Sequence, residues 1–375
     1  MAIYTVLSRK VLAGFAEDYG LGKLTKTSGV TAGSVSTHYL LETQKGKFFL
    51  KIDEAKRRSE AQHELELLLF LRAHGFACPR PLANRDGRFL SDYEGKTVSV
   101  CPFIVGTVVT EKDFSLSQLE KTGRALASLH LLGQTYKRPL ENRFCFERIA
   151  DLYPAVKTHL PPHFRHLVHV LDDELNYQAH FAEERLPKGV IHGDLFADNI
   201  LFRTSKVAAV LDFEAAGHGK FIYDLATAIN ALCYIDGHYL SDRFDALVHG
   251  YQDVRTLSLG EWDAFPNELR FSALRFTITR LKDFFLRPVD AQFRVHKDFR
   301  DFFERLQVLR RERSGGMDRL LMAMATGYDY RQYQKVRSQS QPASNLPAHR
   351  QGTNGRARVP VPGLTSERRR LQVAH

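Results

Sequence analysis

The sequence predicts an α+β protein of two lobes, a β-rich N-terminal lobe and a mainly helical C-terminal lobe. Three observations predict it. Three strand-like runs and one long amphipathic helix fill the first part of the chain. Past Ile104 the apolar spacing becomes mainly helical. A chain of 375 residues that is 43% hydrophobic and 26% charged is large enough to give both parts a real core.

The elements follow in order. A first helix is expected from Ser8 to Tyr19, with Val11, Phe15 and Tyr19 four apart, Ser8 as N-cap and Gly20 as stop. Lys23–Val30, Ser36–Thr43 and Lys47–Ile52 read as successive strands, punctuated by Gly29 and Gly33 and then by Lys45-Gly46. A long helix is expected from about Ala55 to Ala73, closed by His74-Gly75. Gly87 marks a hairpin before a strand at Thr97–Ile104. Leu116–Leu132 is helical, with Leu119, Leu126 and Leu129 on its apolar face. Two short strands, Gly189–Ile191 and Val207–Leu211, bracket a loop rich in functional residue types, and helices dominate from there to about Arg311. The lobes are accordingly drawn at 1–103 and 104–312. The segment 313–375 is read as a disordered basic tail, since Ser340–Pro362 is rich in Pro, Gly, Ser, Gln and Asn.

Composition excludes several classes. No apolar run approaches the ~18 residues of a membrane span, and Met1 to Arg9 lacks the apolar core of a secretory signal. Cys78, Cys101, Cys145 and Cys233 form no metal-ligand spacing, so they are expected as reduced thiols in a cytoplasmic protein. The net charge is +10, but 313–375 holds eleven Lys/Arg against three Asp/Glu, which leaves about +2 for the rest. No nucleic-acid surface is expected on the folded part, and the tail's last 40 or so residues lack interleaved aromatics.

The chemistry concentrates in His192-Gly193-Asp194-Leu195-Phe196-Ala197-Asp198-Asn199, which follows Val190-Ile191, and in Asp212-Phe213-Glu214, which follows the strand. Phosphoryl transfer needs a carboxylate beside the acceptor hydroxyl and oxygen ligands for a Mg²⁺ that bridges nucleotide phosphates. Asp194 fits the base, and Asn199 and Asp212 fit the metal ligands, converging from one hairpin-like element. His192 fits a brace of the loop. Lys51 ends an apolar strand, where an inward ammonium needs an anion. Glu64 on the next helix is the expected partner, with Glu60 one turn earlier as the alternative. Gly29-Val30-Thr31-Ala32-Gly33-Ser34 lies upstream, where backbone N–H groups of Gly33 and Ser34 could approach phosphate.

These residues resemble the aminoglycoside phosphotransferase/choline kinase-like superfamily, which shares the protein-kinase fold. Within it, Ala2–Leu7, Gly29–Tyr39, Gly75–Leu82, Val190–Phe213, Tyr223–Ala226 and Leu274–Leu281 resemble the homoserine kinase branch. The resemblance implies ATP and Mg²⁺ as cofactors, Lys51 as the phosphate-contacting lysine, and Pro102, Phe103 and Ile104 as the hinge that meets adenine. It implies phosphorylation of L-homoserine, with choline, methylthioribose or an aminoglycoside as other acceptors of the superfamily; nucleotide binding without catalysis is a rival of a different class, and the intact set of Lys51, Asp194, Asn199 and Asp212 argues against it. The branch commonly reads Glu-Asn-Ser-Asn where Val35-Ser36-Thr37-His38 stands here. A zwitterionic acceptor needs a cation for its carboxylate. Arg275 and Arg280 in the apolar helix Phe271–Leu286 are the candidates, each also able to form a structural pair with Asp224 or Asp283. Asn230 is a further pocket candidate.

Overall fold

The computed structural model describes residues 5–30, 36–181, 185–286 and 297–311. Gly33 and Ser34 of the glycine loop, and the segment 313–375, lie outside the described residues. Helix α1 (Arg9–Asp18) starts where the Ser8 hydroxyl accepts the Val11 N–H, and Gly20 follows it in the left-handed region. Strands β1 (Leu24–Val30), β2 (Ser36–Thr43) and β3 (Gly46–Asp53) form an antiparallel meander. Helix α2 (Arg58–Ala73) follows, and then β4 (Leu90–Tyr93) and β5 (Lys96–Pro102) complete a five-stranded sheet of order β1-β2-β3-β5-β4. Leu50, Ile52, Val98 and Val100 bury their side chains with Leu12 and Phe15 of α1. Lys51 lies between Leu50 and Ile52, so strand alternation turns it to the opposite face, toward α2.

Three boundaries differ from the sequence reading. Helix α2 starts at Arg58, not Ala55. Arg57 is extended and its N–H is capped by the Glu60 carboxylate at 2.8 Å, which leaves Lys56 off the helix. The hairpin into β5 turns at Glu94-Gly95, both with positive φ (49° and 77°), rather than at Gly87. Strand β5 stops at Pro102 instead of running to Ile104.

The second part runs β6 (Thr107–Val108), α3 (Leu116–Thr135), α4 (Phe146–His159), α5 (His166–Gln178), β7 (Lys188–Ile191), β8 (Ile200–Arg203), β9 (Lys206–Val210) and β10 (Gly217–Lys220). It continues through α6 (Phe221–Leu232), β11 (Tyr234–Ile235), β12 (His238–Tyr239), α7 (Ser241–Gln252), α8 (Leu259–Phe285) and α9 (Arg300–Arg311). Leu119, Leu126 and Leu129 are buried as expected. Helices α3 and α7 pack backbone to backbone. A Cβ at Gly123 would lie 2.1 Å from the Leu247 carbonyl, and one at Gly250 only 1.9 Å from the Glu120 carbonyl. Every residue of α6 is buried, so this helix is the pillar on which the site loop rests. The two strands around that loop are not one hairpin, contrary to expectation: β7 pairs with β10, while β9 pairs with β8. The architecture is an antiparallel-sheet lobe and a helical lobe. All four cysteines are unpaired, and among the described residues no helix is long and apolar enough to cross a membrane.

Candidate active site

The loop after β7 is tied to itself at short range. The Asp194 N–H donates to His192 Nδ1 at 3.2 Å, and His192 Nε2 donates to the Leu211 carbonyl at 2.8 Å. One ring thus links Asp194 to the end of β9 and fixes its own tautomer, the bracing expected of His192. Asn199 Nδ2 donates to the Asp194 carbonyl at 2.8 Å, and the Asn199 carbonyl accepts the Leu211 N–H at 2.8 Å. Gly193 allows this path: its φ is +75°, and a Cβ there would lie 2.7 Å from the Ala215 carbonyl. Asp212 takes a left-handed conformation (φ 58°, ψ 73°) and its Oδ1 accepts the Glu214 N–H. Asp194, Asn199 and Asp212 are therefore brought onto one scaffold of hydrogen bonds.

Opposite them lies a crowded ion cluster. Lys51 Nζ is 2.6 Å from Glu214, 3.3 Å from Glu64 and 3.4 Å from Asp53. Of the two expected partners it takes Glu64, because Glu60 caps α2. Lys56 joins the same three carboxylates. Sequence reasoning missed Lys56, Asp53 and Glu214; the D-F-E run was the one signal for Glu214. The Ser36 hydroxyl lies within hydrogen-bond distance of both Glu214 (3.2 Å) and Asp53 (3.4 Å), one of which takes its single proton, and this gives that departure from the branch pattern a place beside the cluster. Burial penalises the Lys51 ammonium, but Glu64, Glu214 and Asp53 outweigh it and raise its pKa well above normal. Glu214 also suffers burial, and Lys51 and Lys56 hold it well below the carboxylate range. Asp212 goes the other way: burial, then the Glu214 charge, push it up to about 6 against the opposing Lys51.

That donor set suits a divalent cation. A buried carboxylate kept partly protonated by its anionic neighbours is one that Mg²⁺ would ionise. Asn199, whose amide nitrogen is engaged, offers its amide oxygen on the same scaffold. Among the described residues Glu120, His249 and Asp253 also bring ligand atoms within 4.8 Å of one another. There, however, Arg124 pairs with Glu120 and Asp253 at 2.5 Å each and already supplies the positive charge.

Behind the loop is a brace absent from the sequence reading. Asp224 of α6 accepts the His192 N–H at 2.6 Å and the Gly193 N–H at 2.8 Å. His130 of α3 donates to Asp224 from Nε2 at 3.1 Å and accepts from the Tyr251 hydroxyl at Nδ1. Arg255 donates to that hydroxyl and pairs with Glu261 at 2.8 Å. Burial works against the Asp224 charge, yet His130 and the His192 N–H keep its pKa below normal. Burial lowers His130 and keeps it neutral despite Asp224.

The remaining expected residues separate. Arg275 is buried, with Nη1 3.6 Å from Asp194 Oδ1. Its ion-pair neighbour is thus neither Asp224 nor Asp283. Arg280 turns away to α9, donating to the Asp298 carbonyl at 2.6 Å and pairing with Asp301 at 3.3 Å. Asn230 is no pocket residue. It is fully buried, its amide nitrogen donates to the Leu269 carbonyl, and its amide oxygen accepts from the Tyr239 hydroxyl. Phe103, between Pro102 and Ile104, is exposed just past the end of β5, an interior strand of the sheet. Its N–H already donates to the Lys47 carbonyl at 2.9 Å.

Known proteins match this frame. The pattern described as the phosphotransferase enzyme family covers residues 26–257. A homoserine kinase of Paramagnetospirillum magneticum is 32% identical over 316 residues, 82% of this chain and 96% of the relative. One of Methylobacterium radiotolerans is 34% identical over 322 residues, 84% and 97% respectively. Among solved structures, the amicoumacin kinase hAmiN superposes with TM-score 0.64 at 16% identity, covering 87% of this chain and 97% of its own. A choline kinase of Cryptosporidium parvum gives 0.63 at 12%, covering 83% and 98%.

Proposed function

The chain belongs to the phosphotransferase enzyme family and is an ATP-dependent kinase acting on a hydroxyl; from that premise we propose that the hydroxyl is the side-chain hydroxyl of L-homoserine. The observation that carries the acceptor is the similarity to homoserine kinases over 96% and 97% of their own lengths.

The residues divide the work as the chemistry requires. Lys51, held by Glu64, contacts the nucleotide phosphates. Asn199 and Asp212 are the residues that would hold Mg²⁺, which when bound neutralises charge on the transferring phosphoryl group. Asp194 accepts the proton of the acceptor hydroxyl as its oxygen bonds to the γ-phosphorus. The bond from that phosphorus to the β,γ-bridging oxygen breaks, and ADP leaves. His192 and Asn199 hold the main chain at Asp194, so the carboxylate meets the hydroxyl in one orientation.

The test is an acceptor series with ATP and Mg²⁺, run on the wild type and on Asp194→Asn. Homoserine should give the highest kcat/KM against choline, methylthioribose and kanamycin. The variant should bind ATP yet turn over about 10²-fold slower or more, the scale of a lost general base. Preference for another acceptor overturns the homoserine reading, and near-normal turnover by the variant removes Asp194 as base.

A further inference from the structure

Arg275 differs from the other buried arginines among the described residues. Arg270 sets Nε and Nη2 against the two oxygens of Glu174. Arg243 donates to the carbonyls of Leu232, Phe114 and Glu111. Arg255 has Tyr251 and Glu261. Arg275 is only 3% exposed, yet neither its Nε nor its Nη1 makes a hydrogen bond. The nearby Asp194 oxygen, at 3.6 Å, is beyond hydrogen-bond reach. Asp194 is an ion-pair neighbour but leaves these buried N–H groups without an acceptor, which is costly unless another group completes them.

The surroundings say where such a group would sit. The guanidinium lies against the rings of Phe144 and Phe276, 3.7 and 3.8 Å from their centroids. Its Cζ thus makes a close cation–π contact with each ring. The Nη1–Nη2 end, with Nη1 beside Asp194, and the Nε–Nη2 side each carry one of the unpartnered N–H groups, and either pair of parallel N–H groups matches a carboxylate. The Tyr223 hydroxyl is also buried without a hydrogen bond of good geometry, and it lies within the field of Arg275.

We propose that Arg275 receives the carboxylate of the acceptor, so that the site selects hydroxy-amino acids over amino-alcohols. The proposal rests on the homoserine reading of the same site. With ordinary bond lengths the carboxylate carbon and hydroxyl oxygen of homoserine are at most about 5 Å apart. One molecule therefore spans from the Arg275 edge to Asp194, the group proposed to take its proton. Arg280, by contrast, is already engaged by the Asp298 carbonyl and the Asp301 carboxylate of the neighbouring segment.

Two probes divide the substrate. L-2-Aminobutyrate is homoserine without the hydroxyl, and 3-aminopropan-1-ol is homoserine without the carboxylate. Binding of L-2-aminobutyrate is measured by calorimetry in the presence of Mg²⁺ and a non-hydrolysable ATP analogue, for wild type, Arg275→Met and Arg275→Lys. Arg275→Met should weaken it about 10²-fold, as when a buried charge pair loses one partner. The kcat/KM ratio of homoserine to 3-aminopropan-1-ol should fall by a similar factor. Arg275→Lys keeps the charge, and thereby the fold, and should lose part of both. The proposal is overturned if the wild type does not bind L-2-aminobutyrate, if the variants bind it equally well, or if the ratio stays constant. Loss of L-2-aminobutyrate binding in an enzyme that prefers an acceptor other than homoserine supports the carboxylate receptor and sinks the homoserine reading alone.

Discussion

Two charged assemblies flank the Asp194 loop, and they are built in opposite ways. In the Lys51 cluster each ammonium is shared: Lys51 and Lys56 both lie against Asp53, Glu64 and Glu214, with Asp212 crowded at the edge. In the Asp224 brace each contact is single and directional, from the His192 N–H, the Gly193 N–H and His130. A shared ion pair can change partners when a phosphate or a cation arrives. A brace made of fixed donors cannot change without moving the loop. The first is suited to receiving ligands and the second to holding a conformation, so function and stability should respond differently to damage in each.

The sharpest separation comes from Asp212→Ala. Turnover should fall about 10³-fold or more with loss of a proposed metal ligand. The melting temperature should stay level or rise, because a buried carboxylate among like charges has been removed. A variant that is both active and markedly destabilised would break the distinction.

Asp224→Asn should do the reverse first. An amide has one acceptor oxygen, so the loop N–H groups and His130 cannot all keep their partner in a site with no water access. A loss of about 3–5 kcal/mol in denaturant unfolding is expected, the cost of a broken buried charged network. A loss below about 1 kcal/mol would mean that the brace does not hold the loop.

The smallest effect is a pH dependence confined to the cluster. Asp212 rises from 3.8 to about 6 on folding. Between those values the folded protein keeps a proton that the unfolded chain has released, so this group's contribution to stability falls as pH rises through the window. The loss should be about 2–3 kcal/mol by the usual conversion. In metal-free buffer, wild type should lose more stability than Asp212→Asn between pH 4.5 and pH 7.5, and Mg²⁺ should recover the difference at the higher pH. Identical slopes in the two proteins would show that crowding does not tune Asp212.

The cluster and the brace were also unequally legible. Asp194, Asn199 and Asp212 lie within nineteen positions of sequence, and their residue types at that spacing mark phosphoryl-transfer chemistry before any packing is known. Lys51 and Glu64 followed from strand alternation and helix period. Lys56 was hidden because the reading placed it inside α2, and only the Glu60 cap shows that the helix starts later. Glu214 lies 163 positions from Lys51, and His130 lies 94 from Asp224, distances at which no local pattern reports a contact.

By itself the sequence determined the α+β class, the order of a sheet lobe and a helical lobe, and the identity of the residues around the proposed chemistry. Each of these follows from local periodicity or short spacing. Tertiary structure decided the rest. Arg275 and Arg280 stand five residues apart on one helix, about 140° around its axis at 3.6 residues per turn. Nothing in α8 alone says which face meets Asp194 and which meets α9. The packing of α8 between α6 and α9 sets that rotation, leaving one arginine beside Asp194 with buried N–H groups that lack an acceptor and tying the other to Asp301.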